Sequence, residues 1–402
     1  MTSQTQSFPS QRGAASFRRA AIIVLAVWVA FLLLLALNLW LVSRGFGRLY
    51  EADFIQNGWL GGYLVAHGQD PYNATAWQAA KETFLPRPEL FPRFLYPIWV
   101  AALCGILGLL PPLTALAAWT SVNILLLYAS LRLCFTIANR RVRWLESGTL
   151  LVLALLFLPV LHGLLEGQYT ILVLFLLLAT VALMQRGSSY LNGIPLAVAL
   201  LKPQSSALLV VALLWWAASH RRWRDLAGFG AVSAVLWLGP LALYPNWPSE
   251  WAEAARWQGV YLVKITPSVW GLAYQVAPGI AFPVALVASG LVLWVTASWW
   301  VRRAPQAAPS EVAPLSAVNL LVSFYGLPYE QVSLLFPFWT CWLGARALTW
   351  RLGLVAWIGL LPLCLAALLA LNPPWNLVFA IVQPISIIAI YATLLNSQGK
   401  TG

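Results

Sequence analysis

Five carboxylates crowd one short stretch of the chain. Glu51, Asp53, Asp70, Glu82 and Glu89 all fall between Arg44 and Arg93, out of 12 acids in 402 residues. A carboxylate is expensive inside a bilayer, and the flanking segments are strongly apolar. Acids gathered in one polar loop therefore point to chemistry done at that loop. A second chemical feature sits mid-chain, at Lys202-Pro203, inside an otherwise apolar region. Proline removes a helix hydrogen bond and disfavours helical geometry at the residue before it. Non-helical backbone at membrane depth survives only where it lines a cavity or is buried in protein. A lysine at such a break suits a buried anion such as a phosphate; the other reading is a lysine snorkelling from a helix end to the interface.

Composition sets the frame that positions these groups. The chain is 61% hydrophobic and 9% charged, with 23 Trp, whereas soluble domains run near ~25% charged. Apolar runs long enough to cross a bilayer of roughly 30 Å recur along its length. The expected fold is all-α and polytopic, with about ten to thirteen transmembrane helices. The net charge of +12 comes in short clusters between apolar runs, which is how cytoplasmic loops are marked, so nucleic acid is excluded as a partner and membrane lipids are expected ones. Cys104, Cys134, Cys341 and Cys364 all lie in apolar runs and read as small buried hydrophobes. His67, His162 and His220 are scattered, no metal-ligand spacing is present, and neither a metal nor a cofactor is expected.

Residues 1–16 read as a disordered cytoplasmic tail and 17–397 as a single transmembrane domain. Arg12, Arg18 and Arg19 precede the apolar run Ala20–Val42, at about 22 residues too long for a cleavable signal core, so a retained first helix with a cytoplasmic N-terminus is expected. Further apolar segments include Phe94–Leu110, Leu113–Ile137, Gly148–Leu165, Thr170–Met184, Ser205–Ala218, Leu226–Tyr244, Ile280–Val301, Gly353–Leu371 and Leu377–Leu395. Basic clusters at Arg140–Arg143, Arg186, His220–Arg224, Arg302-Arg303 and Arg346–Arg351 are placed inside. That puts the first loop (44–93), the Glu166-Gly167-Gln168 turn, the Lys202-Pro203 break and a second loop (245–267) outside. One conflict follows: two apolar segments lie between Phe94 and Arg140, where an odd number of crossings is required. Either Phe94–Leu110 is a half-span or the Arg140 cluster is outside. Trp247, Trp251, Trp257 and Tyr261 of the second loop fit an interfacial aromatic belt, with stacking on sugar or polyprenyl chain as the sharper alternative.

In order along the chain come Asp53-Phe54, Gly68-Gln69-Asp70-Pro71-Tyr72, Tyr96-Pro97, Gly167-Gln168, Lys202-Pro203-Gln204 with Arg221-Arg222-Trp223-Arg224, then Ser323-Phe324-Tyr325 and Tyr329-Glu330. This order resembles bacterial glycosyltransferase family 87, membrane mannosyltransferases that use polyprenyl-phosphate sugars. The resemblance runs from about Asp53 to Glu330. It departs at Ile98, where the family often has a second proline, and at Phe324 and Glu330, where it often has Pro and Asp.

Sugar transfer from a lipid phosphate needs a base for the acceptor hydroxyl and a clamp on the departing phosphate. A single inverting displacement needs one positioned carboxylate rather than the pair of a retaining glycosidase. The resemblance implies that Asp53 is that base. It also implies a polyprenyl-phosphate-linked sugar donor, most simply of mannose, a lipid or glycan acceptor, and action at the outer face of the inner (plasma) membrane. On this reading Lys202 holds the donor phosphate with Gln204 beside it, and Gln168 bonds a sugar hydroxyl or phosphate oxygen. Tyr96 lines the cavity, Glu166 meets a cation or faces water, and Tyr329 and Glu330 face the site. Asp70 and Tyr72 belong to a tight bend, and Arg87 and Arg93 meet lipid headgroups, with a clamp on the phosphate as the other reading. The competing readings are a lipid or solute transporter or flippase, and a non-catalytic scaffold of envelope assembly. Transporters built from matched halves carry broken helices in equivalent places, and the acidic first loop has no counterpart after the midpoint.

Overall fold

The computed structural model describes residues 11–44, 50–85, 93–345, 347–371 and 378–398. The first ten residues, Arg87, Glu89 and Arg346 lie outside them. The chain begins with α1 (Gln11–Ser43), then a π-helical turn (Phe54–Trp59) leading into α2 (Leu60–Ala66), α3 (Ala74–Phe84), α4 (Ile98–Gly108) and α5 (Pro112–Ile137). Next come α6 (Trp144–Leu156), α7 (Leu158–Leu165), α8 (Thr170–Arg186), α9 (Gly193–Val198), α10 (Pro203–Ser219), α11 (Trp223–Leu238) and α12 (Trp247–Leu262). The rest are α13 (Val269–Val276), α14 (Ala281–Arg303), α15 (Leu315–Val322), α16 (Leu335–Gly344), α17 (Leu348–Leu371) and α18 (Val382–Gln398). No strand occurs among the described residues. The protein is an all-α, polytopic membrane protein.

Among the described residues, four helices are long and apolar enough to cross a membrane: Val24–Leu41 within α1, Pro112–Ile137, Trp223–Ala242 and Pro278–Gln306. A fifth is the pair α6–α7, bent by 67° where Phe157 turns extended and Pro159 follows in the first turn of α7, a position proline tolerates. Among the described residues several other apolar helices, such as Ile98–Gly108, Tyr190–Leu201 and Val382–Leu394, are shorter, too short to span ~30 Å at ~1.5 Å per residue unaided. One of these is the 11-residue α4, the length expected of a half-span, beside the 26-residue α5.

The basic clusters gather at one end. Arg140 donates to the Leu343 carbonyl at 2.6 Å, Gln185 to the Ile137 carbonyl at 3.3 Å, and Trp216 to the Ala307 carbonyl at 2.8 Å. Arg351 lies 3.7 Å from Glu146. Within the 221–224 cluster Arg222 turns inward, paired at 2.7 Å with the buried Asp225, which also accepts from Ser188, Ser189 and Asn192. Gln168 precedes α8, whose 17 residues run to Arg186. It therefore sits about 25 Å from that basic end.

In lipid the apolar term no longer drives helices together, so close backbone approach and polar bonds matter more. The stretch expected as a polar loop shows this. Phe54, Ile55, Trp59 and Leu60 are at most 2% exposed, and α2 packs on α4 through paired glycines. A Cβ at Gly62 would fall 2.5 Å from the Cys104 carbonyl oxygen, and one at Gly108 would fall 2.3 Å from the Tyr63 nitrogen. The α3 helix starts where the Asn73 side chain accepts the Ala76 N–H at 3.0 Å. Cys104, Cys134 and Cys341 are buried as expected, but Cys364 is exposed. A helix facing lipid presents apolar residues outward, so an apolar run does not by itself imply burial in protein.

Candidate active site

Three breaks in helical geometry converge on one pocket. Asp53 caps the π-helical turn Phe54–Trp59, an irregularity that costs regular hydrogen bonding and is frequent at functional sites. Gly167, at φ +62°, makes the turn between α7 and α8. A Cβ there would lie 2.5 Å from that of Phe54, so both the left-handed backbone and the contact demand glycine. Lys202 leaves helical geometry at φ −138°, ψ 75°, between a short 3-10 turn and α10, the break that the Lys-Pro pair predicts.

The Asp53 carboxylate is gripped from three sides. Asn57 Nδ2 donates to Oδ1 at 2.7 Å, Tyr96 Oη to Oδ2 at 3.0 Å, and Gln168 Nε2 to Oδ2. Gln168 in turn accepts from Lys202 Nζ at 2.5 Å. Its amide can point only one way, because lysine offers donors alone and an ionised carboxylate acceptors alone. Lys202 also pairs with Glu330 at 2.8 Å and lies 4.7 Å from the Tyr329 ring centre. Ser205 Oγ donates to the other Glu330 oxygen. Lys202 and Glu330 are 2% and 3% exposed, so neither reaches water as a snorkelling side chain does.

Asp53, Tyr96, Lys202, Gln204, Tyr329 and Glu330 line one small pocket. Gln168 joins Asp53 to Lys202 from behind. The Gln204 backbone carbonyl is held by Asn319 at 2.6 Å. Glu166 stands apart: its Oε2 accepts the Asp53 N–H at 3.0 Å, and its carbonyl accepts the Phe54 N–H at 2.9 Å. It buttresses the backbone of Asp53, with His162 3.9 Å away. In the Gly68–Tyr72 bend, Asp70 accepts the Tyr72 N–H at 2.9 Å. Tyr72 Oη reaches the Tyr96 carbonyl at 2.5 Å, so that bend fixes Tyr96.

Part of the second loop is helical. Trp251, Gln258 and Leu262 of α12 roof the pocket. The helix is anchored where Trp247, 1% exposed, stacks among Trp237 and Trp251 at ring distances of 5.3–6.3 Å. Asn57 and Ser205 escaped the sequence reading. Each follows a singled-out residue by one helical turn, at i+4 from Asp53 and i+3 from Lys202, and that spacing was the available signal.

Burial pushes the Glu166 carboxyl above its ordinary 4.5; the Asp53 N–H hydrogen bond opposes this, and the charges of Asp53 and Glu51 add to it. A carboxyl raised in the fold destabilises the native state while ionised. That cost is present at neutral pH, shrinks as pH falls through the raised value, and vanishes below the unfolded 4.5. Glu166→Gln keeps an acceptor for the Asp53 N–H. It should melt slightly above wild type at neutral pH, with the gap closing as pH is lowered toward 4.5. Thermal unfolding at several pH values checks this.

A membrane protein with a clamped carboxylate, an amide relay and a buried ammonium in one pocket has the parts of a group-transfer enzyme. Residues 94–270, somewhat under half of the chain, match the model of glycosyltransferase family 87, so this stretch is similar to membrane glycosyltransferases. The matched stretch contains Tyr96, Gln168, Lys202 and the α12 roof. Comparison with curated proteins gives no match, and comparison with solved structures gives none either.

Proposed function

We propose that the protein transfers a hexose, mannose first among them, from a polyprenyl-phosphate donor to a lipid-linked or envelope acceptor at the outer face of the plasma membrane, with its N-terminus in the cytoplasm. The observation that carries this is the state of the Asp53 carboxylate. Oδ2 already accepts two hydrogen bonds and Oδ1 only one. The free lone pair of Oδ1 is the proton acceptor for a hydroxyl in the pocket. As the acceptor oxygen bonds to the anomeric carbon, the bond from that carbon to the phosphate oxygen breaks. The phosphate leaves with the electron pair and the hydroxyl proton passes to Asp53, which inverts the centre in a single displacement.

Two of the three ammonium protons of Lys202 are engaged, by Gln168 and Glu330. The third is the clamp for the leaving phosphate. Tyr329 and Gln204 hold the donor, and Glu330 fixes Lys202. The outer-face orientation is supported by the gathering of basic clusters at the opposite end of α8.

The test uses purified full-length protein with radiolabelled sugar supplied either as the polyprenyl phosphate or as the nucleotide diphosphate. Label should enter a lipid-soluble or glycan acceptor from the polyprenyl phosphate only, fastest for mannose over glucose and galactose. Transfer from the nucleotide sugar alone would overturn the donor assignment. Movement of intact donor across liposomes without product would favour a flippase.

A further inference from the structure

The α12 helix has a second face. At ~100° per residue, Trp251, Gln258 and Leu262 stack on the side that roofs the Asp53–Lys202 pocket. Glu253, Arg256, Trp257 and Val260 point the other way, into an open groove of about 800 Å³ that Arg93 and Lys264 help to line. Three cations against one acid leave this groove with two positive charges in excess. Arg93 is paired with Glu253 at 2.9 Å. Arg256 and Lys264 are exposed and make no ion pair among the described residues. Val260 is 65% and Trp257 42% exposed, so an apolar wall adjoins the cations.

Cations beside an apolar wall match a lipid phosphate above its acyl chains, and an indole suits the depth where the two meet. The reacting substrates belong elsewhere. A helix with its side chains is about 10–12 Å across, whereas reacting atoms must approach to ~3–3.5 Å. We infer that this groove holds an anionic glycerophospholipid as a resident ligand of α12, its phosphate between Arg256 and Lys264 and its chains along Val260 and Trp257. The lipid braces the roof of the pocket from outside. This assignment stands whether or not sugar is transferred beneath.

The test is lipid retention by the full-length protein, read by native mass spectrometry after exchange into detergent with phosphatidylglycerol or phosphatidylcholine of matched chains. Wild type should retain phosphatidylglycerol about tenfold more strongly. Arg256→Gln combined with Lys264→Gln should abolish the preference, while Asp53→Asn keeps it. Glu253→Gln, which removes the groove's acid and frees Arg93, should strengthen retention. Equal retention of both lipids by wild type, or a preference that survives the double substitution, would overturn the inference. So would displacement of phosphatidylglycerol by millimolar inorganic phosphate, which would make this a free-anion site.

Discussion

Asp53→Asn should abolish sugar transfer, by about 10²–10⁴-fold, while leaving folding and donor binding in place. The substitution removes the proton acceptor and changes almost nothing else, for a reason visible in the hydrogen bonds. An asparagine can keep its oxygen at the Oδ2 position, where Tyr96 and Gln168 donate. Its new NH2 then faces Asn57 Nδ2, which donates to Oδ1 in the wild type, and two donors would collide. Asn57 has a remedy: its own Oδ1 is buried and without a hydrogen-bond partner. Turning that amide over presents an acceptor to the new donor, so the network closes again. Measured transfer near the wild-type rate, with donor still bound, would remove Asp53 from the chemistry. A protein that fails to bind donor would mean that the carboxylate organises the pocket rather than accepting a proton.

The two ends of this site were unequally legible in the sequence. Lys202 announced itself because a charge at a proline break in an apolar run is a local anomaly with a local cost, whereas Asp53 was one of five acids in its loop and was singled out by the family resemblance. Their neighbours did not. Gln168 is one polar residue at a helix end, a common thing, and only the fold reveals that its amide spans the gap between carboxylate and ammonium. Asn57 lies within FIQNGW, a run that reads as ordinary loop or helix. Its importance comes from a π-helical turn, and no periodicity in six residues encodes that. Glu330 lines the pocket, but its pairing with Lys202 and Ser205, across 128 and 125 positions of sequence, is visible only in the fold. Helix type was readable from apolar runs, but span length was not. The run Phe94–Leu110 could be read as a half-span or a full crossing, and only the fold shows that its helix, α4, has 11 residues.

The Lys202–Glu330 pair gives the second large effect, and it separates holding the fold from holding a phosphate. Lys202→Met leaves Glu330, 3% exposed, with Ser205 as its remaining side-chain partner. Removing one member of a buried ion pair costs about 3–5 kcal/mol, because the other charge stays behind uncompensated. The single variant should therefore melt well below wild type and lose transfer. Adding Glu330→Gln removes the stranded charge, and stability should recover most of the loss, the coupling expected of residues in direct contact. Transfer is the discriminating readout. If Lys202 served only as the counter-ion of Glu330, transfer would return with stability. If its third ammonium proton holds the departing phosphate, the double variant should be stable yet slower than wild type by about 10²–10³-fold, the usual effect of deleting one group that stabilises developing charge. Donor affinity should fall alongside. Glu330→Gln alone completes the cycle, because it leaves Lys202 charged and bonded to Gln168, with the face of Tyr329 below it. That variant should keep more transfer than either one lacking the ammonium.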